Sequence, residues 1–226
     1  MVTGDRPKRK YDSRRRQEQA AATRRSILDA AQHLFERDGY VATTVEGIAG
    51  EAGVGLKTVY AAFTTKSGLL RALWDLRLKG DSDEAPVADR PWYVETVEER
   101  DPVRQVRLIA HNSCLVKRRV GALFGVIRDA AAVDLDAAAL WALIQSDFYE
   151  NQRVLVRAIH RNKGLRAGLD EGAATDVLWT LNHPNVWLLL VVDRGWTADQ
   201  FETWFTETLT QQLLATRRGP SVRRGP

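Results

Sequence analysis

Apolar residues recur at helical spacing along most of the chain. One stripe runs from Ile27 to Phe35 and ends at Gly39, and a shorter one runs from Val45 to Ala52. Residues three and four positions apart share one face of a helix, so each stripe predicts an amphipathic helix. The sequence has no alternation of apolar and polar residues that would indicate strands, and no internal repeat. The pattern therefore predicts an all-α fold of about nine helices.

Local start and stop signals divide the N-terminal part into four helices. Thr43 followed by Glu46 fits a capping box, in which the hydroxyl accepts a hydrogen bond from the third helical amide and the carboxylate reaches back. Gly53 ends this short helix. A third helix is predicted from about Leu56 to Phe63, and a fourth from about Lys66.

The stretch from Gly80 to Pro91 is acidic and rich in turn-forming residues, which is typical of a linker. After it the periodicity is again helical, with breaks at Lys163-Gly164 and Gly195. Within one of these helices Pro184 cannot donate to the Thr180 carbonyl, which leaves an acceptor for a ligand or water. Helices are predicted over residues 102–118, 121–131, 136–162, 171–194 and 197–217.

The two short helices have the residue types that a helix-turn-helix motif requires. Ala49 is small enough for two helices to touch, and Gly53 tolerates the positive φ of a tight turn. Leu56, Lys57 and Tyr60 are left on the outer face of the third helix. Such a face on a short helix suits insertion into a DNA major groove. A helical hairpin with a solvated outer face is the alternative that this motif alone leaves open.

The segment from Gly39 to Leu70, GYVATTVEGIAGEAGVGLKTVYAAFTTKSGLL, closely resembles the DNA-binding region of the TetR family of repressors. The resemblance covers about the first 75 residues, and the remainder is similar only in being helical and of suitable length. Three positions depart from the family pattern: Gly55 replaces the usual Ser, Ala62 a frequent His, and Ser67-Gly68 a common Glu-Ala. We expect a lost capping hydroxyl, a missing phosphate contact and a weaker first turn of the fourth helix.

The resemblance implies which residues contact DNA. Thr43 or Thr44 matches a phosphate contact at a helix N-terminus, where the helix dipole and free amides favour an anion. Tyr60 and Lys66 match further phosphate contacts, and the outer face of the third helix is expected to read bases. We also expect the basic arm to contact the DNA backbone or a minor groove. The predicted DNA-binding residues are Thr43, Thr44, Gly55, Leu56, Lys57, Thr58, Tyr60, Ala61, Lys66, Arg14, Arg15 and Arg16.

Positive charge is concentrated at the two ends of the chain. Nine of the first 25 residues are Lys or Arg and three are Asp or Glu, while the last ten residues contain four arginines. A basic arm beside a compact domain favours attraction to phosphates. We interpret the C-terminal Arg-Gly-Pro stretch as a solubilising tail.

The last two helices are predicted to form a homodimer interface, as the resemblance also implies. The stretch from Val186 to Val192 is apolar on all sides, so it requires cover on two faces. Thr197 and Gln200 form a second capping box, followed by another apolar stripe. A large intramolecular core is the alternative. The predicted interface residues are Val186, Leu189, Val192, Phe201, Trp204 and Phe205.

Polar and aromatic residues interrupt the apolar faces of several helices in the C-terminal part, as a small-molecule cavity requires. Plain core packing is the alternative, and the aromatic lining hints at a hydrophobic or planar effector. The predicted ligand-binding residues are His111, Asn112, Trp141, Gln145, Phe148, Tyr149, Gln152, His183 and Trp187.

We interpret the chain as five parts: a basic disordered arm (1–15), a helix-turn-helix DNA-binding domain (16–65), a connecting helix (66–80), a ligand-binding and dimerisation domain (81–216) and a basic tail (217–226). The expected function is a transcriptional repressor that a small-molecule effector releases from a palindromic DNA operator. We expect the connecting helix to transmit the effect of the bound ligand to the DNA-binding domain.

Other function classes have weaker support in the sequence. Cys114 lies one helical turn from His111 and suggests a thiol nucleophile, but no third partner can be named. A purely structural bundle and a transcriptional activator are further alternatives. No P-loop, dinucleotide-binding or metal-binding motif occurs, so we expect no catalysis, no cofactor and no metal. No apolar run has the length of a membrane span and no signal peptide is evident, so a cytoplasmic protein without a membrane partner is expected.

Overall fold

The computed structural model describes residues 8–80 and 86–215. In these ranges the chain is α-helical apart from short connections, as predicted. A 3-10 turn covers Val87–Asp89, and a π-helical segment covers Leu188–Asp193. The α-helices are α1 (Lys8–Ala42), α2 (Val45–Glu51), α3 (Leu56–Phe63), α4 (Lys66–Lys79), α5 (Pro91–Glu98), α6 (Pro102–Ala130), α7 (Leu135–Arg161), α8 (Glu171–Leu181), α9 (Pro184–Trp187) and α10 (Ala198–Leu213).

The helices form two compact units. Unit 1 comprises the residues up to 75 together with residues 125–140, so it contains α1 to α3, most of α4, the end of α6 and the start of α7. Its core is built from the predicted apolar stripes. The fully buried side chains include Ile27, Phe35, Ile48, Leu69 and Leu70.

Unit 2 comprises residues 76–124 and the residues after 140. Its core lies among α6, α7, α8 and α10, where Phe201 and Phe205 of α10 are fully buried. A short backbone connection holds the end of α10: Arg166 N donates to Leu213 O over 2.9 Å, and Ala215 N donates to Gly164 O over 3.0 Å.

Two predicted helix boundaries are wrong. A break was expected between residues 118 and 121, but α6 is continuous. Gly121 faces the Trp187 indole so closely that a Cβ would lie 3.1 Å from it, so this glycine permits close packing and does not end a helix. The arm was expected to be disordered up to residue 15, but α1 begins at Lys8. Arg14 Nε lies 3.1 Å from Glu18 Oε1, an i,i+4 pair that favours helix there. Residues 1–7 lie outside the described ranges.

The cap of α2 also differs from the prediction. Thr44, not Thr43, is the N-cap, and its hydroxyl accepts from Gly47 N over 3.0 Å. Thr43 is buried, and its hydroxyl lies within hydrogen-bond distance of the Gly39 and Leu34 carbonyls. The predicted capping box of Thr43 with Glu46 is therefore not formed, because Thr43 is used to join α2 to the end of α1 and Gly47 has no side chain that could reach back to Thr44.

The helix predicted over residues 171–194 is interrupted at Pro184, where α8 gives way to α9. The expected free carbonyl is absent: His183 N donates to Thr180 O over 3.2 Å. The residue before the proline thus takes over the hydrogen bond that Pro184 cannot make. The capping box of Thr197 and Gln200 at the start of α10 is present as predicted.

Candidate DNA-binding site and ligand site

The chain between α2 and α3 makes a tight turn. Gly53 has φ +67°, a left-handed conformation that favours glycine, and Val54 N donates to Ala49 O over 3.0 Å. Ile48 and Ala49 are buried beneath the turn, and Val59 anchors α3 from the other side. This geometry agrees with the roles predicted for Ala49 and Gly53. The turn fixes the direction of α3.

The outer face of α3 is open to solvent. Lys57, Thr58 and Ala61 are exposed, and the Tyr60 side chain is 45% exposed. Leu56 is half-buried at the first turn, after the N-cap Gly55. The N-cap has no side chain to bond the first amides, so these amides are available to a ligand. The residues predicted to read bases therefore share one accessible helix face.

Arg24 of α1 supports the C-terminal end of α3, a role that the sequence reasoning missed. Its Nη1 donates to Ala62 O over 2.9 Å, and its guanidinium lies 4.1 Å from the centre of the Phe63 ring. A cation near the last carbonyls of a helix is favourable because of the helix dipole. This arginine lies 38 residues before its partner, so no local signal indicates the contact.

Lys66 and Thr43 connect segments of unit 1 by hydrogen bonds from their side chains to backbone carbonyls. Lys66 Nζ donates to Tyr40 O over 2.8 Å and to Thr43 O over 3.0 Å, and it lies 4.1 Å from the centre of the Tyr40 ring. Burial lowers the pKa of Lys66. The phosphate contacts suggested for both residues stay predictions, and of the two threonines only Thr44 is exposed at the start of α2.

Tyr40 also bonds the loop between α6 and α7. Its hydroxyl donates to Asp134 Oδ2 over 2.6 Å, and this hydrogen bond lowers the pKa of Asp134. Burial and the same carboxylate raise the pKa of Tyr40. Ser67 donates to Asp136 Oδ2 over 3.3 Å, and Thr65 accepts from Gly68 N over 2.9 Å to cap α4. The first turn of α4, expected to be weak, is thus anchored by side chains.

In unit 2, aromatic rings surround His183. Its imidazole packs edge-on against Phe124 and Phe148, at centroid distances of 5.5 and 6.1 Å. Trp179 lies 5.1 Å from the same ring, and Trp141 packs on Phe124 at 4.7 Å. Six of the nine predicted ligand-binding residues belong to this region, which we call the His183 cluster: Trp141, Gln145, Phe148, Tyr149, Gln152 and His183.

The other three predicted residues have separate surroundings. His111 is exposed, with Nδ1 3.1 Å from Glu202 Oε1. Asn112 is buried and donates to Thr96 Oγ1 over 2.9 Å. Trp187 is buried in the core, 5.0 Å from the Phe201 ring. The structure does not bring these three residues into the His183 cluster.

A buried polar chain borders the His183 cluster and contains Asn182 together with Lys117, a residue that the sequence reasoning missed. Lys117 donates to Asn182 Oδ1, and Asn182 Nδ2 donates to Gln152 Oε1 over 2.9 Å. A signal existed in the sequence: Lys117 lies on the apolar stripe of α6, three residues after Cys114 and three before Val120. A lysine on such a stripe is unusual, because lysine is rarely fully buried without a partner.

The predicted dimer residues divide into two groups. Phe201 and Phe205 are fully buried within the chain, so they cannot contact a second subunit, and their assignment to the interface is wrong. Leu189 and Val192 are 57% and 63% exposed in the π-helical segment. Trp204 is half-buried. Val186 is also half-buried.

The turn between α2 and α3, together with the open face of α3, has the geometry of a helix-turn-helix motif. Residues 27–73 match the family described as "Bacterial regulatory proteins, tetR family". The match covers the N-terminal part of the chain, where the turn and α3 lie. The regulator AcrR of Shigella flexneri is 38% identical over 64 residues, which are 28% of this chain and 30% of AcrR. The matched part thus spans less than a third of that relative.

Solved structures share the fold along most of the chain. NalD, the secondary repressor of the MexAB-OprM multidrug efflux pump in Pseudomonas aeruginosa, is 22% identical, with a TM-score of 0.62 over 86% of this chain and 98% of NalD. SmeT in complex with triclosan is 21% identical, with a TM-score of 0.67 over 91% of this chain and 98% of SmeT. Likeness at this identity shows the fold.

None of the helices in the described ranges has the combination of length and apolar character that crossing a membrane requires.

Proposed function

We propose that this protein is a sequence-specific transcriptional repressor that binds a palindromic DNA operator as a homodimer and leaves it when a small-molecule effector binds. The observation that carries the proposal is the open face of α3, where Lys57, Thr58 and Ala61 are presented by a rigid turn. Lys57 can donate to guanine acceptors, and the Ala61 methyl suits a thymine methyl. Such a regulator acts where the chromosome is, in the cytoplasm.

Exposed apolar residues in the π-helical segment support the homodimer. Leu189 and Val192 are large apolar residues left uncovered in the single chain, and exposed apolar surface of this kind marks interaction sites. A two-fold axis beside them would present two α3 helices to two half-sites about one helical turn of DNA apart. Two half-sites explain how one short helix achieves specific binding.

The effector part of the proposal is supported by the His183 cluster and by the structural neighbours. SmeT was solved with triclosan, an aromatic small molecule, and NalD is a repressor of a multidrug efflux pump. A ligand changes DNA affinity only if it prefers one of two conformations. We propose α4 as the element that conveys this preference, since its residues belong partly to unit 1 and partly to unit 2.

A thiol hydrolase has no support in the site geometry. Burial raises the pKa of Cys114 to about 11, so its sulfur is the protonated thiol at neutral pH and not the nucleophilic thiolate. His111 pairs with Glu202 on the surface. We therefore assign no catalytic role to Cys114 and His111.

Selection of bound sequences from a random DNA duplex library, at near-physiological salt, tests the proposal directly. The full chain is expected to enrich a two-fold symmetric site. If a folded, dimeric protein enriches no sequence, the proposed function is wrong. A symmetric site then serves as the probe for effector-induced release.

Matched lysine variants locate the reading face. Lys57→Met is expected to cost about 1–3 kcal/mol of binding free energy and to relax the preference at one base position in each half-site. Lys163→Met removes another exposed lysine, one in unit 2, and is expected to leave the preference unchanged. Equal effects of the two variants would show that Lys57 acts only through net charge.

A further inference from the structure

Lys117 is buried in unit 2 without an acidic partner. It is 4% exposed, and no acidic residue in the described ranges forms an ion pair with it. Phe201 and Phe205 present their rings at 5.5 and 5.2 Å from Nζ. Its hydrogen-bond partner is Asn182 Oδ1. Because the nitrogen has two N–H groups as an amine and three as an ammonium, this one hydrogen bond leaves part of the donor capacity of Lys117 unused.

The polar chain beyond Asn182 offers Lys117 no further acceptor. Asn182 Nδ2 donates to Gln152 Oε1 over 2.9 Å, and Gln152 Nε2 donates to Phe148 O over 3.2 Å. In both Asn182 and Gln152, the side-chain oxygen accepts the hydrogen bond that comes from the Lys117 end of the chain. The side-chain nitrogen donates to the next group along it. Lys117 is the donor end of a directed chain of hydrogen bonds.

The neighbouring His183 cluster also has unused donors. Asn185 N donates to His183 Nδ1, so His183 Nε2 carries the proton and donates to Gln145 Oε1 over 3.3 Å. Gln145 Nε2 and Trp179 Nε1 are buried without a hydrogen-bond partner among the described residues. Buried polar groups are normally paired, and each unpaired one requires an explanation. Acceptor atoms of a bound molecule would pair groups of this kind.

We propose that the effector is an apolar organic anion whose carboxylate is bound by Lys117 and whose aromatic or aliphatic part is held among the rings around His183. The inference rests on the proposed function, since it names the chemical class of the effector. Donors without acceptors select an acceptor group, and a buried amine that has no anionic partner for its protonated form selects a negative charge. The rings provide the apolar part of a small-molecule site.

The charge state of Lys117 provides a signature of binding. In the free chain, burial lowers the pKa of Lys117 to about 7. The titratable groups that interact with Lys117 are Cys114 on its own helix and His183, while α7 and α10 face it with Gln152 and aromatic rings. A bound carboxylate favours the ammonium, so Lys117 takes up one proton from the buffer when the anion binds.

Calorimetry with matched probes and no DNA tests the proposal. The probes are 2-naphthoate, benzoate and indole-3-acetate, each compared with its neutral primary amide, against the full-length wild type, Lys117→Met and the control Arg118→Met. Arg118 is the exposed neighbour on α6. Titrations in buffers of different ionisation enthalpy report the protons taken up. Circular dichroism checks that each variant is folded.

The wild type and Arg118→Met are expected to bind at least one carboxylate about tenfold more tightly than its amide, and Lys117→Met to lose this preference. At about pH 8 the wild type should take up close to one proton per carboxylate and none with the amide. The proposal is overturned if no carboxylate binds at about 1 mM, if the amide binds equally well, or if Lys117→Met keeps the preference. Wild-type proton uptake tests the site without any variant.

Failure of this inference and failure of the proposed function are distinguishable. Binding of a carboxylate at Lys117 without release of selected DNA supports the anion site and contradicts effector-controlled repression. DNA selection without carboxylate binding supports the DNA-binding function and overturns the anion site.

Discussion

Replacing Lys117 by methionine is expected to change how the stability of the chain depends on pH. Burial lowers the pKa of Lys117 from its ordinary value of 10.5 to about 7 in the folded chain. Between these two values the unfolded chain holds one proton more than the folded chain. The free energy of unfolding of the wild type therefore rises with pH in this window, by about 1.4 kcal/mol per pH unit. Methionine has a similar length and no proton to lose.

The useful part of the window lies below about pH 9. Above that, Cys114 acts in the opposite direction, because burial raises its pKa from 9.0 to about 11 and the folded chain keeps the thiol proton longer. His183 has a lowered pKa, so its contribution lies below its ordinary value of 6.5. Between about pH 7.5 and 8.5, the wild type is expected to gain about 1 kcal/mol more stability than Lys117→Met.

Urea unfolding of both proteins, followed by circular dichroism at constant ionic strength and protein concentration, measures this difference. Arg118→Met serves as the control and is expected to follow the wild type, since Arg118 is exposed. Parallel slopes for the wild type and Lys117→Met would refute the reasoning, because they would mean that Lys117 keeps its proton in the folded chain.

Three further predictions test the core, the DNA-binding unit and the subunit interface. Phe205→Ala is expected to lower the free energy of unfolding by about 3–5 kcal/mol in urea, because Phe205 is fully buried; a loss below about 1 kcal/mol would contradict that burial. Arg24→Met is expected to weaken binding of the selected DNA in a gel shift, since α3 loses its C-terminal support, whereas Arg71→Met, in a surface pair, is not. Leu189→Glu combined with Val192→Glu is expected to give a folded monomer by sedimentation; a persisting dimer would place the interface elsewhere.

Features that depend on residues close together in the chain could be predicted from the sequence. Apolar stripes identified the helices because residues on one face must be buried together. Gly53 marked the turn before α3 since its positive φ is a local property. The capping box of Thr197 and Gln200 was predicted for the same reason, as both partners lie within one turn.

Where a distant segment competes for the same residue, the role of that residue depends on how the helices pack and could not be predicted from local patterns. Gly121 has the residue type of a helix end but serves the packing of Trp187, and Thr43 bonds the end of α1 in place of capping α2. Phe205 and Trp204 belong to the same apolar stripe in the sequence. The full burial of Phe205, however, depends on which helices cover α10.

Lys117 is the clearest case. Its place on an apolar stripe was visible in the sequence, but its lack of an acidic partner depends on α7, α8 and α10. Whether a lysine is paired, exposed or left as an unused donor is set by segments far away in the chain. Local periodicity therefore places most of the helices, whereas their exact ends and the burial and pairing of polar groups emerge only when the helices are packed together.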